Sequence, residues 1–259
     1  MTKYSSIAAL LLVSVLAACG DKEVQSLVST TPQARVRFFN FGVNAPSVNF
    51  YADATKMTAV QSTTGTESTS GVAYGGVGAN GAYSAIDPGQ HALMGKIAAA
   101  TDKDLAISTV TTTVEDAKYY SFYMSGIYNT TTKTVEGFVV QDDFPISDDT
   151  TQTTVRFVHA ISNANPMTLF AKSTTTGTET AIGAEVAYKA GGAFVTLPAG
   201  AYDLSTRYTG SATNVLTRPA VSFVGRRVYT VTARGDITSA PSTACAAANR
   251  TCLDNTANR

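Results

Sequence analysis

The chain has no tryptophan, and among its 259 residues there are only two histidines, three cysteines and eight prolines. A hydrolase of the triad kind needs a nucleophile, a base within hydrogen-bond reach and a group that orients the base. No Gly-x-Ser-x-Gly elbow accompanies His91 or His159. There is no His-Glu-x-x-His pair for zinc, and the glycine-rich stretch Gly71 to Gly81 lacks the lysine and helix that would cradle phosphate. Nothing selects a pair of carboxylates for glycoside hydrolysis. No cofactor and no metal centre are expected from these motifs. Charge is scarce and balanced, with 19 basic against 19 acidic residues. A chain without a basic surplus has neither the footprint of nucleic-acid binding nor a polybasic patch for membranes. After the first eighteen residues no stretch sustains a helical period, and abundant Thr, Ala, Gly, Ser and Tyr suit an exported β-rich protein.

The N-terminus supplies the one long apolar run. Lys3 precedes an apolar stretch from Ile7 to Ala18, too short for a permanent membrane span, which reads as a cleaved signal over residues 1–18. Its end, Leu16-Ala17-Ala18-Cys19, resembles the lipobox of bacterial lipoproteins. That resemblance implies lipidation at Cys19 and an anchor in which each buried methylene contributes about 0.8 kcal/mol. Gly20 follows the cysteine in place of the aspartate that retains enterobacterial lipoproteins in the inner membrane, so the outer membrane is the favoured location. With Cys19 lipidated, Cys245 and Cys252 form an even pair outside the cytoplasm, most simply a disulfide. Chain entropy alone gives this short loop a stabilisation of about 2.5 kcal/mol.

The rest of the chain contains one pattern twice. Val36-Arg37-Phe38 recurs as Val155-Arg156-Phe157, and Phe50-Tyr51-Ala52 as Leu169-Phe170-Ala171. Thr64-Gly65-Thr66-Glu67 recurs as Thr176-Gly177-Thr178-Glu179, and Val72-Ala73-Tyr74 as Val186-Ala187-Tyr188. The apolar rhythm of Ala82 to Leu93 returns in Ala193 to Leu204, and Tyr120-Ser121-Phe122 in Tyr229-Thr230-Val231. Conserved order with differing loop lengths is what duplication leaves. The expected organisation is a lipidated tether over 19–33, a first domain over 34–141, a linker over 142–153, a second domain over 154–237 and a disulfide-closed tail over 238–259.

Within each copy the period is two. Val36, Phe38 and Asn40 share one face of the opening strand and Arg37, Phe39 and Phe41 the other; the alternation leaves open which face is buried. Asp87-Pro88-Gly89 and Pro198-Ala199-Gly200 are turns, read as joining hairpins. A second pair is expected across Glu115-Asp116-Ala117, and Val135 to Gln141 reads as a strand added to the first copy. Short strands at this spacing predict an all-β chain of two tandem immunoglobulin-like β-sandwiches, with about seven strands each.

The openings, with arginine and aromatic residues alternating before an Ala-Pro or Asn-Pro, resemble the bacterial family called domain of unknown function 4397. Val155-Arg156-Phe157-Val158-His159 keeps the family's opening, whereas Asn40 stands where the first copy would carry the histidine. The resemblance implies tandem immunoglobulin-like domains in exported or surface proteins and no known activity.

Two surface features remain as candidates. Tyr119 and Tyr123, which the second copy replaces by Val228 and Thr232, share a strand face where tyrosines can stack on sugars or anchor a protein, or pack against the other domain. Asp142, Asp143, Asp148 and Asp149 bracket Phe144-Pro145-Ile146, an oxygen-rich linker and a weak candidate for calcium beside the plainer reading of a solvated hinge. The functional expectation is an envelope lipoprotein with a non-catalytic binding or adhesion role. Its partners would be the membrane through the lipid and an envelope protein or glycan, with no nucleic acid. A structural spacer and an unrecognised periplasmic hydrolase are the alternatives.

Overall fold

The computed structural model describes residues 33–58, 70–145, 148–243, 245 and 250–258. The signal, the lipobox with Cys19 and most of the tether lie outside them. The first copy contains β1 (Ala34–Val43), β2 (Val48–Ala52), β3 (Thr55–Lys56), β4 (Ser84–Ile86), β5 (Gly89–Ile97), β6 (Ala106–Val114), β7 (Tyr119–Asn129) and β8 (Thr134–Gln141). The second contains β9 (Gln152–Ala160), β10 (Met167–Ser173), β11 (Glu179–Val186), β12 (Ala190–Gly191), β13 (Val195–Pro198), β14 (Gly200–Tyr208), β15 (Leu216–Phe223), β16 (Val228–Arg234) and β17 (Cys252–Ala257). The chain is all-β: two tandem β-sandwiches whose pairing repeats. In the first copy the sheets run β4-β1-β7-β8 and β3-β2-β5-β6. In the second they run β12-β9-β16-β17, with β13 also on β9, and β11-β10-β14-β15. The opening strand lies parallel to the Tyr strand in both, Val36 opposite Tyr120 and Val155 opposite Tyr229.

Each sandwich has its own core. Phe38, Phe50 and Phe122 meet in the first at ring-centroid distances of 5.3 to 6.2 Å. Phe157, Leu169, Leu204, Phe223 and Val231 belong to the core of the second.

The two expected hairpins are corrected. β4 pairs with β1, while β5 pairs with β2 and β6, so Asp87-Pro88 carries the chain from one sheet to the other. β13 and β14 divide in the same way around Pro198-Ala199. β6 and β7 also lie in different sheets. Alternation marks a strand but not its partner, and a turn short enough for a hairpin also serves a sheet crossing. The second crossing is pinned by a tyrosine: the Tyr120 hydroxyl accepts from the Glu115 N–H at 3.0 Å, and Tyr229 from Val224 at 3.1 Å. This matches the tyrosine corner of immunoglobulin sandwiches.

A further correction concerns the tail. Cys252–Ala257 is not outside the second domain; it is the strand β17, antiparallel to β16, with Leu253 fully buried. Tyr229 faces Ala257 as Tyr120 faces Gln141, so β17 is the counterpart of β8, which is therefore no addition to the first copy. Gly235 makes the return possible. Its φ is +122°, and a Cβ there would lie 2.5 Å from the Cα of Thr251. The disulfide Cys245–Cys252, with Cα atoms 5.4 Å apart, ties the start of β17 to the loop before it.

Both faces of β1 are buried. Val36 and Phe38 enter the first core, and Phe39 and Phe41 join a separate cluster with Tyr123, Phe138, Val158 and Ala160 of both copies. The sheet β4-β1-β7-β8 of one copy thus packs on the sheet β12-β9-β16-β17 of the other.

Candidate functional site

The junction of the copies is built from equivalent residues. Arg37 and Arg156 hold the same position in their openings, and both are buried against the other copy, at 4% and 2% exposure. Arg37 Nη1 donates to the Ala257 carbonyl at 3.2 Å and to Asn258 Oδ1 at 3.1 Å. Arg156 Nη1 donates to the Gln141 carbonyl at 2.9 Å, and its Nη2 to Asp142 Oδ1. Since Gln141 corresponds to Ala257 and Asp142 to Asn258, each arginine grips the end of the other copy's last strand. The guanidinium of Arg37 lies 4.1 Å from the Tyr83 ring centroid, and that of Arg156 lies 4.9 Å from the equivalent Phe194. Tyr188 donates across the junction to Glu136 at 2.7 Å, and its counterpart Tyr74 to the Arg250 carbonyl at 3.2 Å. The contact is isologous in form, like that of a two-fold dimer, within one chain.

Between the clamps the copies differ. Tyr123 stacks on Phe39 at 4.6 Å and on Phe138 at 5.0 Å, against the small Val158 and Ala160. Tyr123 is 0% exposed, so it is no part of a binding surface. Burial pushes its phenol up to about 12. The reading that it packs against the other domain is the one its burial supports.

Tyr119 lies differently, half-buried on the rim of a cleft of about 550 Å³ beside the linker. The walls include Lys118, Asp143, Phe144, Pro145 and Phe194. Phe144 packs at 5.3 Å from Tyr119 and 6.2 Å from Phe194, bridging the copies. The calcium candidates do not converge. Asp142 is already filled: Arg156 donates to one oxygen, and Tyr83 and Ser121 donate to the other at 2.8 and 2.7 Å. Asp143 meets Lys118, Asp148 meets Arg226, and Asp149 caps Thr151. Among the described residues no three His, Cys, Asp or Glu side chains are grouped to hold a metal. Asp142 also pushes the Tyr83 phenol up, after burial, which is the larger cause.

A family model described as Domain of unknown function (DUF4397) matches residues 34–170 and 153–256. The chain belongs to this family. The second DUF4397 match runs into β17, in keeping with that strand's place in the domain. No curated protein sequence matches the chain. Among solved structures it is similar to the Bacillus anthracis TIE protein, at 14% identity and a TM-score of 0.25, over 79% of this chain and 34% of that one. It thus spans about a third of that protein's length. It is also similar to a "putative cell adhesion protein" from Bacteroides ovatus, at 10% identity and a TM-score of 0.25, over 88% of this chain and 96% of that one. At these values the likeness transfers no activity.

The two DUF4397 openings also explain the histidine that occurs in one copy. His159 Nδ1 accepts from the Ile161 N–H at 3.2 Å, as Asn40 Oδ1 accepts from the Gly42 N–H at 3.2 Å. With Nδ1 an acceptor, Nε2 carries the proton and donates to the Asn165 carbonyl at 3.1 Å. Burial holds His159 below its ordinary pKa. His91 is engaged at both nitrogens, at 2.7 Å from Asp53 Oδ2 and 2.7 Å from the Asp87 carbonyl. Burial opposes its charge, yet these two acceptors outweigh it and raise the pKa. The paired arginines escaped the sequence reading, although an arginine at one position of both openings, among apolar neighbours, was the signal.

Proposed function

We propose that this DUF4397 protein is a lipid-anchored component of the bacterial cell envelope with a non-catalytic binding or adhesion role toward a protein or glycan. The carrying observation is the cleft beside the linker, where the symmetry of the copies breaks. Val228 replaces Tyr119 in the second copy, and the Phe144-Pro145 wall belongs to a linker that occurs once. A half-exposed aromatic surface at a domain junction is a usual place for recognition. The non-catalytic reading is supported by the histidines, whose four ring nitrogens are all engaged in holding structure. Leu16-Ala17-Ala18-Cys19 supports the anchor and, with Gly20, the outer membrane.

A thermal-shift screen of the soluble chain from Gly20 onward, against envelope glycans and peptidoglycan fragments, tests the reading together with cross-linking in intact cells. A ligand at a hundredfold excess over its Kd stabilises the fold by about 2.7 kcal/mol. A shift or cross-link abolished by Tyr119→Val supports the binding role; no shift and no cross-link overturns it. The second reading, a rigid envelope spacer, is favoured by the arginine-clamped interface that joins both copies into one body.

A further inference from the structure

We propose that the cleft beside the linker binds a neutral pyranose of a glycan, an inference that rests on the binding role above and gives it a ligand class. Three rings, Tyr119, Phe144 and Phe194, contribute to the walls from both copies and the linker. The C–H face of a pyranose packs on such rings, whose faces carry negative charge and attract polarised C–H groups. The polar groups suit hydroxyls. Asp143 Oδ1 lies 3.5 Å from Lys118 Nζ, and Gln141 donates to the same oxygen at 2.8 Å, so a strong acceptor and a cationic donor stand side by side at the rim. This ammonium and carboxylate balance each other, and Asp142 behind them is neutralised by Arg156. An anionic or cationic ligand would have to displace one member of a matched pair, whereas a neutral polyol engages both. The volume of about 550 Å³ lies in the range of small-ligand sites.

Val228 holds the place of Tyr119 in the second copy, so Tyr119→Val installs a side chain this strand position already accepts. Phe144→Ala removes the linker's ring. Saturation-transfer NMR of the soluble chain from Gly20 onward, with maltohexaose, cellohexaose and chitohexaose as probes, reads the contact directly. The expected result is transfer to ring C–H protons of at least one probe, with binding weakened about tenfold by Tyr119→Val and by Phe144→Ala. No transfer to any probe, or transfer unchanged by Tyr119→Val, overturns the glycan assignment. If transfer is absent while a cross-link to an envelope protein still depends on Tyr119, the glycan is overturned and the wider binding role stands. If neither is seen, both fall.

Discussion

The two halves of the junction perform one task with different chemistry. Arg156 closes on a carboxylate, Asp142, whereas Arg37 closes on an amide, Asn258, and remains equally buried. Among the described residues the Arg37 guanidinium is held through its Nη atoms by carbonyl acceptors and by a stacked ring, while its Nε is left without an acceptor. The carboxylate has an additional role: Tyr83 and Ser121 donate to it, so one group organises the linker end. Asn258 plays the matching part by donating to Thr230 at 2.6 Å. What duplication kept is the geometry of the grip, and what drifted is the charge.

The largest effect is expected from removing the carboxylate. Asp142→Ala strands the Arg156 charge and should cost about 3–5 kcal/mol in urea unfolding. Asp142→Asn, which copies the other half, should cost about 1–3 kcal/mol. Equal losses from the two variants would break the comparison, because the amide would then be no substitute for the carboxylate. Next comes the way each copy secures its last strand. β8 follows β7 through a tight hairpin, while β17 is reached by a longer return and carries the Cys245–Cys252 bridge at its start. Cys245→Ser with Cys252→Ser should cost about 2–4 kcal/mol, read as a lowered Tm, and reductant should do the same to the native chain. A Tm indifferent to both would mean that β17 is held by its ladder alone.

Smaller effects depend on pH. His159 is held below its ordinary 6.5 by burial, so on acidification the unfolded chain takes up a proton that the fold refuses, and stability falls below about that pH. His159→Asn, the residue of the first copy, should keep the cap and flatten the Tm profile between about pH 7.5 and 5. A profile as steep as the wild type would assign the acid sensitivity elsewhere. His91 has the opposite sign. Its raised folded pKa makes its contribution complete below 6.5 and lost as pH rises through the folded value. His91→Gln should remove only that shallow slope, the least of the four effects, because the pair with Asp53 is exposed.

Much of the fold could be read from the residues. Recurrent blocks located two copies, and the alternation of Val36, Phe38 and Asn40 with Arg37, Phe39 and Phe41 located the opening strand. What could not be read is pairing across space. An alternating strand buried on both faces looks the same as one buried on a single face when both faces are apolar, as on β1. For the same reason Tyr123 passes for a surface residue until Phe39 and Phe138 are seen around it. β17 was missed because Asp254 and Asn255 are poor strand formers and only Leu253 is large and apolar. Its existence was implied by Val135 to Gln141, a strand of the first copy still without a counterpart. The cleft was half legible: Tyr119 was selected by its difference from Val228, but Phe194 and Phe144 come to it only through the junction.

The grip of Arg37 on Ala257 and Asn258 spans 220 and 221 residues of sequence. A chain synthesised from its N-terminus presents Arg37, Phe39, Phe41 and Tyr123 long before the strand and the second sheet that cover them have been made. Such distant contacts form late, and an uncovered aromatic sheet is a site of aggregation while it waits. The junction thus sets an order-of-arrival problem during synthesis, in which closure of the first sheet waits for β17, made after every other strand of the described residues.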